Sequence, residues 1–299
     1  MWIPTFACPE CLGNVAARGS RYECARCRCA FDFDGHLFRF VTARRLNSKA
    51  AFLEQYRAMR SADGSASYSP AARAALPAVP GGDPRADEWV IRARTFARLQ
   101  QILAQRSARP ARALDLGAGN AWLSNRLAQA GHDPVALDLL DDAADGLGAC
   151  ATYARAFCAV VADFEALPFE AGQFDLVVFN ASLHYAADAG RALRAAHRVL
   201  RPGGTVAVLD SPMFASADDG RAMLEAQDQM MRKRLGRWLV LRPGRGFLTF
   251  GDLERAAAQL GLRGRFHRSR GPLLWEMRRA ASRLRLGRAP AAFGAWIAA

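Results

Sequence analysis

The second part of the chain alternates between two hydrophobic patterns. From about residue 111 onward, short apolar runs are separated by longer segments in which apolar residues recur every three or four positions. The runs have the length of buried strands, and the longer segments have the periodicity of amphipathic helices. This alternation is typical of β-α-β units. It predicts an α/β fold with a mostly parallel seven-stranded sheet and flanking helices, with strands at 112–116, 133–138, 157–162, 174–180, 204–210, 262–267 and 292–297.

The same pattern divides the chain into three parts. Between and after the strands it predicts helices at about 121–130, 142–151, 189–200, 217–234 and 251–260. Upstream it predicts helices at 43–62 and 87–105, and the Ser-, Gly- and Pro-rich stretch between them is typical of a linker or flexible lid. We therefore expect a small unit over 1–42, a helical linker or lid over 43–105, and an α/β domain over 106–299 with an insertion at about 212–270.

From its composition we expect a cytoplasmic protein. The positive net charge alone does not decide whether the partner is a nucleic acid. No stretch approaches the ~18 consecutive apolar residues of a transmembrane helix, and the N-terminus lacks the pattern of a secretory signal. The formal net charge is +13, which would suit a nucleic-acid partner. However, Lys occurs only at Lys49 and Lys233, and Arg and Ala are abundant, as expected from a GC-rich codon bias. A solvated Arg-rich surface is therefore favoured over an RNA-binding one.

Cysteine spacing predicts a metal site near the N-terminus. Cys8 and Cys11 form one Cys-x-x-Cys pair, and Cys24 and Cys27 form a second pair twelve residues further on. This spacing suits four thiolates around a structural Zn²⁺ ion, and such an ion would explain how a unit of this size folds. Cys29 could replace Cys27, but the two-residue spacing fits better.

A glycine-rich turn after the first predicted strand of the α/β domain indicates a nucleotide-like cofactor. Gly117 and Gly119 follow this strand, and Asp138 ends the next strand about 20 residues on, where a carboxylate can hold ribose hydroxyls. Leu123 replaces the third glycine that a pyrophosphate-binding turn would use. Asp115 would repel a phosphate but could bind an ammonium group. These details favour S-adenosylmethionine over NAD.

The motifs resemble those of class I S-adenosylmethionine-dependent methyltransferases with a Rossmann-like fold, in particular the small-molecule and quinone-type enzymes. Asp115-Leu-Gly-Ala-Gly-Asn resembles the first motif of that family, and segments 162–169, 174–185 and 199–204 resemble later motifs in the same order. The resemblance implies a cofactor site formed by Asp115, Gly117, Gly119, Asn120, Asp138, Leu139, Asp163, Phe164 and Asn180. It also implies that 212–270 holds elements that bind the methyl acceptor.

The N-terminal unit resembles the zinc ribbons of methyltransferase activator subunits and of certain ribosomal-RNA methyltransferases. This resemblance raises the alternative of an rRNA or tRNA methyltransferase that docks through its ribbon. Against it, the segment 180–185 lacks the proline-aromatic motif with which many enzymes present a base amine. We therefore expect a small organic or lipid-like acceptor. A non-catalytic binding or activator protein that retains the fold is a second alternative.

Two residues after the fourth predicted strand are the candidates for catalysis. His184 has a side chain suited to accepting a proton near neutral pH, and Tyr185 follows it. Both could instead cap the strand and pack on the cofactor. Trp89 and Arg92 lie on the helix before the α/β domain, which could close over the cofactor. An apolar acceptor pocket could include Met213, Phe214, Met223, Met230, Met231 and Trp238, and an anionic acceptor could meet Arg242, Arg245 and Arg270.

Overall fold

One sheet of eleven strands runs through the part of the protein that a computed structural model describes, residues 1–64, 67–106, 110–236 and 242–299. Its strands are β1 (Val15–Arg18), β2 (Arg21–Cys24), β3 (Ala30–Phe33), β4 (Phe38–Arg39), β5 (Arg112–Leu116), β6 (Asp133–Asp138), β7 (Cys158–Val161), β8 (Phe174–Asn180), β9 (Leu200–Leu209), β12 (Gly264–Arg268) and β13 (Gly294–Ala298). Two short parallel strands, β10 (Met213–Phe214) and β11 (Leu248–Thr249), form a separate pair.

The α/β domain contributes seven of these strands, in the order β7-β6-β5-β8-β9-β13-β12. The first five are mutually parallel, and β13 runs antiparallel to β9 and to β12. The central strands are apolar because both of their faces are covered. The predicted Rossmann-like architecture and all seven predicted strands are confirmed, with shifts of a few residues at their ends.

The predicted count of seven is too small for the whole sheet, because the N-terminal unit extends it. Strands β1 to β4 form an antiparallel meander, and β4 then pairs in parallel with β7, with Phe38 opposite Val160. The backbone N–H of Phe40 continues this pairing by donating to the carbonyl of Val161 (2.8 Å). An uncovered β7 would expose a row of unpaired backbone groups, and the ribbon satisfies them.

Eight α-helices lie in the described segments: α1 (Ala43–Ala62), α2 (Pro70–Ala75), α3 (Ala86–Arg106), α4 (Trp122–Gln129), α5 (Ala189–Val199), α6 (Ala217–Leu235), α7 (Phe250–Gln259) and α8 (Leu273–Leu286). Six were predicted from hydrophobic spacing. Helix α2, inside the stretch predicted as a linker or lid, begins with Ser69 as its N-cap and Pro70 in its first turn. Helix α8 was not predicted.

The helix predicted over 142–151 is wrong. The Asp142 carboxylate accepts hydrogen bonds from the backbone N–H groups of Ala144 and Asp145, which holds a turn in place of a helical start. Gly146 and Gly148 then pack so tightly that a Cβ atom on either would lie 2.7 Å from backbone atoms. A short 3-10 helix, Leu147–Thr152, is what remains of the segment.

The junction between ribbon and domain should be essential to stability. The Phe40 ring is fully buried and stacks on Phe6 (4.3 Å between centroids) and Phe31 (4.8 Å). We expect Phe40→Ala to lower the free energy of unfolding by about 3 to 5 kcal/mol, because it leaves a cavity at this junction. Denaturant unfolding measures this loss. Phe33→Ala is the matched control, since Phe33 is only partly buried, and an equal loss in both variants would contradict the assignment.

Candidate active site

A cavity of about 440 Å³ opens at the carboxyl ends of the central strands. Its floor includes the turn after β5 and the segments that follow β8 and β9, and its walls come from α1, α3 and α6. Open α/β sheets bind ligands at this edge, where the strand order reverses. The cavity has the volume of a small-molecule site.

The turn after β5 forms part of the cavity floor, and two glycines give it its shape. Gly117 and Gly119 have φ values of 71° and 55°. A Cβ atom on Gly117 would lie 2.4 Å from the Cβ of Ser182, so only glycine fits between β5 and β8. Gly117, Gly119, Asn120 and Asn180 all line the cavity, as expected of cofactor-binding residues. The buried Oδ1 of Asn180 has no hydrogen-bond partner in the described structure, so a ligand donor would satisfy it.

Two of the predicted cofactor-binding acids lie beneath this turn. Asp138 accepts hydrogen bonds from the backbone N–H groups of Gly119 (2.8 Å) and Leu140 (2.9 Å), and Leu139 follows it, half-buried. Asp115 is fully buried, and its Oδ2 accepts a hydrogen bond from the Ser124 hydroxyl (2.9 Å). Burial raises the pKa of Asp138 and raises that of Asp115 to about 7. Both acids are therefore poorly solvated as anions.

Helix α1 lies across the loops that hold the other predicted cofactor residues. The Lys49 ammonium lies 3.3 Å from Asp163 and 3.0 Å from Glu165, in the loop after β7. At the other end of α1, the Arg60 Nη2 atom donates to Asp145 (2.8 Å), which adjoins Asn120. Helix α1 is thus ion-paired to two sides of the site.

Phe164 and Tyr185, two further residues singled out from the sequence, are held by contacts with other aromatic rings. Phe164 meets the ring of Phe179 edge-on, at 5.9 Å between centroids. Tyr185 lies in the 3-10 turn Leu183–Tyr185 and packs against Phe52 (5.7 Å) and Tyr56 (5.4 Å) of α1. Burial raises the pKa of Tyr185, so its hydroxyl stays protonated.

His184 also lines the cavity, but its environment disfavours the charged form. Its Nδ1 atom lies 3.2 Å from the Ser211 hydroxyl oxygen. Burial, followed by the positive charges of Arg242 and Arg92, lowers the pKa of His184 to about 3. The imidazole is therefore neutral throughout the physiological range and accepts protons weakly.

Asp210 lines the cavity directly after β9, and hydrophobic patterning did not select it. It is 7% exposed, and its Oδ1 accepts a hydrogen bond from the Thr95 hydroxyl (2.8 Å). Burial raises the pKa of Asp210 to about 6. The sequence does contain a pattern that indicates Asp210 as a site residue. Like Asp138, it is an acid at the end of an apolar strand, on the side of the sheet where ligands bind.

Arg92 supplies a positive charge opposite these acids. Its guanidinium lies over the Trp89 ring at 4.8 Å, and no Asp or Glu oxygen of the described chain lies within 4.0 Å of it. Every Asp and Glu of the sequence falls within the described residues. Burial, followed by repulsion from Arg85, lowers the pKa of Arg92. An anionic group bound in the cavity would stabilise the charged guanidinium and offset this lowering of its pKa.

Only some of the remaining residues predicted for the acceptor pocket line the cavity. Met223, Met231 and Arg242 line the cavity. Met213 and Phe214 are buried in the core, and Met230 is exposed. Arg245 pairs with Asp252, and Arg270 is exposed on the surface. Trp238 lies outside the described residues. Trp275 and Phe293, which were not predicted, complete the apolar wall.

The four predicted cysteine ligands come together in the ribbon. The Sγ atoms of Cys8, Cys11, Cys24 and Cys27 all lie within 4.8 Å of one another, and Cys29 lies outside this group. Leu12 and Arg28 each follow a Cys-x-x-Cys pair and have positive φ values of 57° and 64°. The two knuckles therefore turn alike and point their sulfur atoms at one centre. Four thiols in this arrangement match the donor set and geometry of a tetrahedral Zn²⁺ site.

None of the helices among the described residues combines the length and the apolar character needed to cross a membrane.

Comparisons with known proteins agree with this architecture. The chain is 31% identical over 153 residues to malonyl-[acyl-carrier protein] O-methyltransferase of Erwinia pyrifoliae, covering 50% of this chain and 52% of that protein. It is 33% identical over 129 residues to ubiquinone biosynthesis O-methyltransferase of Methylococcus capsulatus, covering 42% and 53%. The chain thus spans about half the length of these curated relatives.

A solved structure extends the similarity of fold to most of the chain. The 1,6-didemethyltoxoflavin-N1-methyltransferase of Burkholderia thailandensis, solved with S-adenosylhomocysteine, aligns with a TM-score of 0.51 and 18% identity over 92% of this chain and 96% of that one. A family model described as a methyltransferase domain matches residues 114–208, which hold the glycine turn, Asp138 and the segment after β8. The similarity to methyltransferases at the sequence level is therefore strongest in the segment that carries strands β6 to β8 and the glycine turn.

Proposed function

We propose that the protein transfers a methyl group from S-adenosylmethionine to a small organic or lipid-like acceptor. One observation carries the choice of cofactor. Asp115, Asp138 and Asp210 are three acids with pKa values raised by burial, and no Lys or Arg nitrogen of the described residues lies within 4.0 Å of them. A ligand with positive charge would compensate these acids, whereas the phosphates of a dinucleotide would be repelled.

The residues of the site fit S-adenosylmethionine in both charge and shape. In this proposal Asp138 would bind the ribose hydroxyls, and the glycine turn would let the backbone approach the ligand. Asp115 lies beneath the turn and favours the ammonium group, directly or through water. Asp163 and Phe164 would flank the adenine. When bound, this cofactor supplies a methyl group already activated on a sulfonium.

The protein's own residues would then align the acceptor and remove its proton. Asp210 is the group best suited to accept that proton, because a carboxyl with a pKa of about 6 is ionised at neutral pH and is still a useful base. His184 and Tyr185 line the same wall and would position the acceptor by hydrogen bonds. Arg92 would stabilise negative charge as the acceptor is deprotonated.

The cavity lining and the relatives support the proposed acceptor class. Met223, Met231, Trp275 and Phe293 provide an apolar wall beside Arg92, which suits a small apolar molecule with one polar or acidic group. The two relatives are a malonyl-[acyl-carrier protein] O-methyltransferase and a ubiquinone biosynthesis O-methyltransferase. Incubating cell extracts with protein and cofactor, followed by mass spectrometry, should reveal a small molecule that gains one methyl group. Methyl transfer into RNA in place of a small molecule would contradict the proposed acceptor.

Cofactor affinity should depend on Asp138. Asp138→Ala removes a carboxylate that can accept two charge-assisted hydrogen bonds, so we expect affinity for S-adenosylhomocysteine to fall at least about tenfold by calorimetry. Asp133→Ala is the matched control, since Asp133 lies at the opposite end of the same strand. Asp138→Asn, which retains an oxygen to accept the Gly119 hydrogen bond, separates ribose binding from support of the turn. Unchanged affinity in both Asp138 variants would refute the assignment.

The pH dependence of methyl transfer should identify the base. With the acceptor found in extracts, kcat/KM should rise with pH and level off above about 6, because only the ionised Asp210 accepts a proton. Asp210→Asn should lose this rise and about 100-fold or more of the activity while still binding S-adenosylhomocysteine. His184→Gln should keep the rise, since a pKa near 3 lies below the range measured. A rise that persists in Asp210→Asn would exclude Asp210 as the base.

We also propose that the four ribbon cysteines hold one structural Zn²⁺ ion. Four thiolates leave no coordination position for water or substrate, so the metal would stabilise the ribbon and take no part in methyl transfer. The Cys8-x-x-Cys11 knuckle also contributes Glu10, which pairs with Arg45 of α1 (3.1 Å). Metal binding would thereby support the helix that encloses the cofactor site.

Metal analysis of protein purified without chelator should find one zinc atom per chain. Cys27→Ser should lose most of this zinc and lower the melting temperature, because one of four ligands is removed. Cys29→Ser should retain it, since Cys29 lies outside the cluster. Absence of zinc from the native protein would refute the site, and loss of zinc in Cys29→Ser alone would move the ligand from Cys27 to Cys29.

A further inference from the structure

Helix α8 exposes an apolar face that its own fold does not use. Eight large hydrophobic side chains of the described residues are strongly exposed, and three of them lie within five positions on α8: Leu273 (78%), Leu274 (57%) and Met277 (58%). Their helical spacing places them on one side, next to the exposed Ala280 and Ala281. Clustered exposure of this kind indicates an interaction surface, whereas single exposed residues do not.

The surroundings of this face are strongly basic. Residues 263–288 contain nine Arg and a single acid, Glu276. Glu276 is already engaged, accepting hydrogen bonds from the Gly271 backbone N–H (2.8 Å) and the Arg268 guanidinium (3.0 Å). Arg278 and Arg283 are exposed on the same helix. The apolar face therefore lies within a segment whose charged residues are almost all positive. A partner that binds there would have to be anionic.

The opposite side of α8 is fixed to the active-site cavity. Trp275 lines the cavity, and the Arg279 guanidinium lies over its ring at 4.2 Å and over that of Phe293 at 5.3 Å. Glu276 ties the first turn of the helix to the preceding loop. The helix thus presents its exposed leucines and methionine from a fixed position, and a partner bound there would adjoin the cavity.

We propose that α8 docks the protein on the surface of a lipid bilayer that contains anionic lipids. A bilayer interface offers negative headgroups next to an apolar layer, which matches arginines next to Leu273, Leu274 and Met277. Amphipathic helices of this composition lie in the interface plane with the apolar side chains inserted among the lipids. RNA would match the arginines but would leave the aliphatic side chains without a partner, since base stacking uses aromatic ones.

Docking is tested by sedimentation of the 299-residue chain with vesicles. Cofactor and acceptor are left out, so the result is independent of methyl transfer. The wild type should sediment with vesicles of equal parts phosphatidylglycerol and phosphatidylcholine and should stay in solution with phosphatidylcholine alone. Raising the salt concentration from about 50 to about 500 mM should weaken binding, because it screens the headgroup charge. No binding to the anionic vesicles at low salt, or equal binding to both vesicle types, would overturn the proposal.

Substitutions on and off the helix locate the surface. Leu273→Ser with Met277→Ser should lower the partition coefficient at least about tenfold, because each buried methylene contributes to insertion. Ile3→Ser is the matched control. Ile3 is 47% exposed, and the adjacent Trp2 packs on Arg112 and Phe174, the first residues of β5 and β8, at the strand ends opposite those that line the cavity. Arg278→Gln with Arg283→Gln is the second variant, which tests the same surface if the serine variant does not fold. It should weaken binding to anionic vesicles, because two of the arginines beside the apolar face lose their charge. A folded variant of either kind that binds as well as the wild type would overturn the proposal.

Discussion

The pairing of β4 with β7 determines how the rest of the molecule is arranged. Two residues of the ribbon pair with the backbone of β7, and at this junction the Phe6 ring stacks on Phe40 and packs at a tilt against Phe38. The ribbon therefore continues the sheet and cannot pivot as an independent appendage. Since α1 begins at Ala43, directly after this pairing, its path over the carboxyl edge of the sheet is set by the same contact.

A chain of ion pairs carries that constraint to the cofactor side of the cavity. Glu10, between two proposed zinc ligands, pairs with Arg45 at 3.1 Å, and Arg45 lies 3.7 Å from Asp163. Lys49 adds a second contact to Asp163 at 3.3 Å. Asp163 is almost fully buried, and Arg45 and Lys49 are the cations beside it. The ribbon and the loop after β7 are thus linked by ion pairs through one helix.

The sequence predicted features governed by local rules, and it missed features governed by tertiary contacts. The parallel strands, the glycine turn and the cysteine knuckles all follow from periodicity or spacing within a few residues. The extension of the sheet by β4 could not be predicted in this way, because a two-residue strand has no pattern of its own. The segment 142–151 has helical spacing, but Asp142 captures the amides that a helix would use. Helix α8 went unpredicted because its start lacks a side-chain cap: Pro272 holds the N-cap position and makes no capping hydrogen bond, so the sequence shows none of the usual Ser, Thr, Asp or Asn start signals there.

The same distinction explains why Asp210 was missed while His184 was chosen. A histidine near a strand end suggests a base because its usual pKa lies near neutrality, but that argument assumes solvent around the ring. Burial and two nearby arginines reverse it, and burial alone moves an ordinary carboxyl into the useful range. These opposite shifts in pKa are the reason we propose Asp210, and not His184, as the base. Three such carboxylates lie at the strand ends without a Lys or Arg nitrogen of the described residues within 4.0 Å, and Arg92 likewise has no Asp or Glu oxygen within that distance. A cationic cofactor together with an acceptor that becomes anionic would neutralise both at once, and methyl transfer to a deprotonated acceptor brings these two charges together.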